Sequence, residues 1–209
     1  MLRRYLTHEK LLVRFLTLLG TVSVLFVVVW MLSYSFLPEG LMRGRSGAQA
    51  LAGVELTGGS VWLEWLRIFA LNLTVAALIM VPGNLIRTKS DYPLGYVTVA
   101  ASAALYAVTL GTNSFTFPMA SRIPPSLVIL GSSGIYEFAA YILAVSATVC
   151  IARWRIVKWW GLRGTTERLA PCRDKSALVE RNVGVALAIV MLAVACGVEA
   201  YRISLALAS

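Results

Sequence analysis

The stretch FLTLLGTVSVLFVVVWMLSYSFL, Phe15 to Leu37, decides the class of fold. It carries no charge over a length that meets the ~20 residues a helix needs to cross a hydrocarbon layer. Arg3, Arg4, Lys10 and Arg14 precede it, and Pro38-Glu39-Gly40 closes it. A signal-peptide core runs to about 7–15 residues and ends at a small-x-small cleavage site. Neither feature fits, so the segment reads as a retained helix.

Four further runs follow the same logic. They are Trp62–Val81, closed by Pro82-Gly83; Leu94–Gly111, entered through Pro93; Ser126–Ile151, entered through Pro124-Pro125; and Val183–Leu207. Leu94–Gly111 is the shortest and leaves room for a partly re-entrant element. Residues 38–61 mix charges with Gly, Ala and Ser, too polar to span, and read as an extracytoplasmic surface loop. Residues 152–182 form the main hydrophilic element, a basic loop. Across the 209 residues 58% are hydrophobic and 14% charged, against about 25% charged in ordinary soluble domains. The expectation is an all-α, polytopic transmembrane bundle of about five helices, a single integral membrane domain over 1–209.

Basic residues set the expected orientation. Fourteen of the nineteen fall before segment one, between segments two and three (Arg87, Lys89), or between segments four and five. The last group includes Arg153, Arg155, Lys158, Arg163 and Arg168. The N-terminus and the basic loop are therefore expected inside and the C-terminus outside, in a multi-pass protein of the cell membrane. The net charge of +9 follows from this bias, so no nucleic-acid partner is expected; the lipid bilayer is the partner implied. Cys150, Cys172 and Cys196 are irregularly spaced and imply no disulfide framework.

A carboxylate at the centre of a bilayer helix costs about 2.5–3.5 kcal/mol on insertion scales. Glu137 is such a residue, roughly 16 Å into segment four at 1.5 Å per residue, and is expected to be at least partly protonated. Ser133, Gly134, Ala140, Tyr141, Ala144 and Thr148 share a small, polar stripe with it, the kind that packs on another helix. Leu127, Ile135, Phe138 and Ile142 form the opposite face. Asn72 lies ~15 Å into segment two, level with Glu137, so its amide is expected to donate to that carboxyl. Gly83, Ser133 and Gly134 are expected at close helix contacts. Glu199 is expected nearer the outer surface, in an interfacial ion pair with Arg202 or Arg67, and Glu64 can pair with Arg67 at i,i+3.

Enzymatic readings fail on inventory. Gly131-Ser132-Ser133-Gly134 matches the GxSG of rhomboid-type proteases, but that serine needs a base. The only histidine, His8, precedes segment one, and no lysine lies inside a span. HExxH and the phosphate-binding loop GxxxxGK[ST] are absent, so no catalysis, metal or other cofactor is expected. The basic loop suits anionic headgroups or a cytoplasmic protein partner.

Three patterns resemble the stage II sporulation protein M family, in order, over roughly residues 62–204. Asn72 followed by an apolar run to Gly83 is similar to the family's N-x-apolar-G helix. Gly134-Ile135-Tyr136-Glu137-Phe138-Ala139 is similar to its P-H-G-[IL]-x-E-x-x-A motif, with Ser132-Ser133 standing where Pro-His stand in the family. Val198-Glu199-Ala200-Tyr201 is similar to its closing E-[AG]-[FY] element. The resemblance implies a multi-spanning membrane protein; the family's namesake anchors peptidoglycan-degrading partners during engulfment in spore-forming bacteria. It also implies a fold similar to permease subunits of ABC-type exporters, where an ATPase docks on cytoplasmic loops. Two functions are therefore expected in turn: a non-enzymatic scaffold for partner proteins or, alternatively, a permease subunit with a polar path near Glu137. Five helices enclose a path poorly, so the second reading expects a homodimer.

Overall fold

The computed structural model describes residues 2–43, 60–115, 121–125, 133–158 and 165–208. Its helices are α1 (Leu2–Leu6), α2 (Leu11–Phe36), α3 (Val61–Gly83), α4 (Leu94–Gly111), α5 (Ser133–Ala147, continued by a 3-10 turn over Thr148–Ile151) and α6 (Lys175–Ala208). By length and composition α2, α3, α4 and α6 can cross a membrane, and α5 is a shorter apolar helix. Two boundaries differ from expectation: α2 begins at Leu11 rather than Phe15, and α6 at Lys175 rather than Val183. Helical hydrogen bonding runs past the edge of the apolar run because polar residues can continue a helix. The start of the expected fourth span, 126–132, lies outside the described residues.

The solvent-facing surface of the bundle is oilier than much of its interior. Leu25, Val28, Leu32, Leu78, Ile79, Leu105, Val190 and Val194 are exposed, while alanines dominate the interior, among them Ala103, Ala107, Ala139, Ala140, Ala144, Ala188, Ala195 and Ala200. In water so broad an apolar surface is unfavourable. In lipid, small residues belong inside because helices associate by close packing rather than by hiding oil.

The buried positions of α2 are Leu18, Val22, Phe26, Trp30 and Ser33, and those of α4 include Val99, Ala103, Ala107 and Leu110. Both stripes follow helical spacing, and the large side chains of α2 meet the small ones of α4. The two helices run the same way: Tyr96 donates to Leu6 O near their starts (3.2 Å), and Ser33 Oγ donates to Ala107 O near their ends (3.3 Å). Arg122 closes that far end. Its guanidinium donates to Ser33 O, Leu37 O and Gly111 O at 2.6–3.0 Å, placing a cation at the C-terminal ends of α2 and α4, where the helix dipole favours one.

Within α3 the turn Ala76–Met80 is π-helical and Pro82 follows at once. Proline lacks an N–H and its ring crowds the carbonyl four residues back, which the wider turn relieves. Gly83 then meets α4: a Cβ there would sit 2.9 Å from Gly95 N, so only glycine permits the approach.

α5 corrects the two-faced reading. Every residue from Ala139 to Thr148 is buried, including Ile142 at 1% exposure, which was assigned to the opposite face. A helix apolar all round is a central helix, and α5 packs on α2, α3, α4 and α6.

Outside the helices, the basic loop is not purely irregular. β1 (Ile86–Arg87), β2 (Trp154–Lys158) and β3 (Thr165–Arg168) form a sheet in that order, an addition to the all-α expectation. Ile86 pairs with Trp154 in parallel, and Trp154 with Arg168 antiparallel. The run Trp-Arg-Ile-Val-Lys is rich in aromatic and β-branched residues, which suit a pleated surface.

Candidate functional site

Three helices converge on Glu137. Asn72 of α3 donates its amide to Glu137 Oε1 at 3.1 Å and lies 3.5 Å from Cys196 Sγ. The Cys196 thiol, on α6, is 3.9 Å from the same carboxylate oxygen and is fully buried. Glu199 lies one turn further along α6 and is partly buried. Phe138, beside Glu137, packs on Phe26, Tyr106 and Tyr141 with ring centroids 5.7–6.5 Å apart.

The arrangement binds helices together. The Asn72 amide, the Glu137 carboxyl and the Cys196 thiol reach one another across helix boundaries, which supplies partners that lipid would not. Glu137 lines neither the apolar groove of about 260 Å³ between α3, α5 and α6 nor the cavity of about 580 Å³ at the basic end.

Glu199, expected in an interfacial ion pair, is partly buried on α6. Arg202 is exposed and, among the described residues, makes no ion pair with it. Arg67 pairs with Glu64 at 3.7 Å. Cys196, one turn before Glu199, meets Asn72, and α6 runs on to Ala208. Ser133 and Gly134 form the first turn of α5, whereas Gly131 and Ser132 lie outside the described residues.

No family model, curated protein or solved structure matches this chain.

A second polar cluster lies at the opposite level, where the three basic regions meet. Arg14 donates to His8 O, Glu9 O and Ser146 O at 2.6–3.1 Å and pairs with Glu180 at 3.4 Å. Glu180 also accepts from Leu11 N at 2.8 Å, capping α2 from α6. Asp91 binds Arg155 at 2.9 Å and Arg87 at 3.5 Å. Burial raises the Asp91 carboxyl, but the Arg155 hydrogen bond and the two positive charges outweigh it and hold its pKa below the ordinary value. Arg153 ties its backbone to Leu85 O at 2.8 Å and accepts from Leu169 N at 2.7 Å. Lys158 and Arg168 are exposed on the hairpin, and Arg163 lies outside the described residues. Among the described residues no group of three His, Cys, Asp or Glu is arranged to hold a metal ion.

Sequence reasoning missed Asn84, which is fully buried and donates to Val145 O at 2.6 Å and Thr148 Oγ1 at 2.8 Å. It follows Pro82-Gly83, beyond the apolar run that marks the span. Cys196 was also missed, because nothing in an apolar run marks which side of the helix meets a polar neighbour.

Proposed function

We propose that this chain is a five-span protein of the cell membrane, N-terminus in and C-terminus out, that acts as a non-enzymatic scaffold or anchor for partner proteins. The reading extends the resemblance to the stage II sporulation protein M family, and the tie between α3, α5 and α6 at Glu137 carries it. Asn72 and Cys196, on two neighbouring helices, both bond that carboxyl, which suits a structural tie between helices.

The span count rests on the bundle's directions. α2, α4 and α6 run from the basic end and α3 and α5 run back, which the ties Arg14–Glu180, Tyr96–Leu6 and Asn84–Thr148 at that end support. Sidedness rests on the basic residues gathered there. The exposed hairpin then presents Arg153, Lys158 and Arg168 to anionic headgroups or a cytoplasmic partner.

The alternative, a permease subunit of an ABC-type exporter, draws on Glu137, a carboxyl within the spans. E137Q separates the two readings. A scaffold variant co-purifies the same crosslinked partners as the natural chain, whereas a permease variant stays folded but loses flux.

A further inference from the structure

Cys150 and Cys172 are remote in sequence but adjacent in the fold. Cys150 lies in the 3-10 turn that ends α5, and Cys172 just precedes α6. Both are free and half-buried. Both line the cavity of about 580 Å³ at the basic end, and the turn that holds Cys150 packs on α6. Lys10, Arg14 and Glu180 share the lining, so the cavity is polar and suited to a water-soluble reagent. Cys196 has a different setting, with its sulfur held against Asn72 and Glu137.

We propose that Cys150 and Cys172 form a thiol–disulfide exchange site that reacts with small soluble disulfides entering this cavity. One cysteine, as thiolate, attacks the sulfur–sulfur bond of the small disulfide, and the displaced small thiolate takes up a proton. The second cysteine, also as thiolate, attacks the protein sulfur of the mixed disulfide and releases the second small thiol. Two protein S–H groups become one S–S bond, and the same two electrons reduce the small disulfide to two thiols. The product joins the end of α5 to the start of α6 and closes the β2–β3 hairpin into a loop held at both ends. The proposal stands independently of the scaffold reading.

The test treats the purified full-length protein, in detergent micelles, with oxidised glutathione. After denaturation the remaining thiols are counted with a polymer-tagged maleimide, and linked peptides are read by mass spectrometry. The untreated chain takes up three labels, one per cysteine. The treated chain should take up one, on Cys196, and yield a Cys150–Cys172 peptide that dithiothreitol separates. C196S should form the same linkage, and C172S, eluting as a folded species, should form none. Three labels after treatment, glutathione left on Cys150 or Cys172 without a link, a linkage through Cys196, or chains joined to one another would each overturn the proposal.

Discussion

The molecule carries two polar clusters that do similar work in different solvents. In the seam between α3, α5 and α6, an amide, a thiol and a carboxyl meet, with no cation bonded to them among the described residues. At the basic end, arginines hold carboxylates and backbone carbonyls together. The difference follows from the cost of charge. Deep in a bilayer a neutral hydrogen bond can be satisfied between helices, whereas full ion pairs suit the level where water still screens them. The seam should therefore be sensitive to loss of shape and tolerant of loss of charge, and the basic end the reverse.

The largest test of that contrast is Arg14→Ala. Arg14 is 11% exposed and Glu180 37%, so the loss of three carbonyl bonds and a partly screened ion pair should cost about 3 kcal/mol. Thermal unfolding in micelles measures it. Asn72→Ala leaves the Glu137 carboxyl short of a donor and should cost about 1–2 kcal/mol, the upper range for interhelical hydrogen bonds in membranes.

A smaller effect is expected from acid. The folded pKa of Asp91 lies below its ordinary value of 3.8, so its contribution is fully present above that value and is lost as pH falls through the lower folded one. The melting temperature of the natural chain should thus drop in that acid range more than that of Asp91→Asn. The smallest effect belongs to Glu137→Gln, which keeps the size of the side chain and an acceptor for Asn72. Its stability should change by less than about 0.6 kcal/mol, and a larger loss would show that the seam depends on charge after all.

The spans were legible in the sequence because apolar length and flanking arginines are local signals. Asn72 and Glu137 were legible together because counting from one boundary gave both the same depth. The part played by Cys196 was not, since its contacts depend on the rotation and level of α6 against two other helices. The sheet was equally hidden: β1 is two residues long, and its pairing with β2 is settled by tertiary position rather than propensity. Cys150 and Cys172 meet for the same reason, through the return of α6 to the end of α5.

The most direct test of the account is the sidedness of the bundle's two ends. Single cysteines are placed at Lys158 and Arg43, both exposed, in a chain whose three native cysteines are serine, and intact cells are treated with a membrane-impermeant maleimide. The account expects label at position 43 at once and at position 158 only after the membrane is opened. Equal labelling of both positions in intact cells, or labelling of 158 alone, would contradict it.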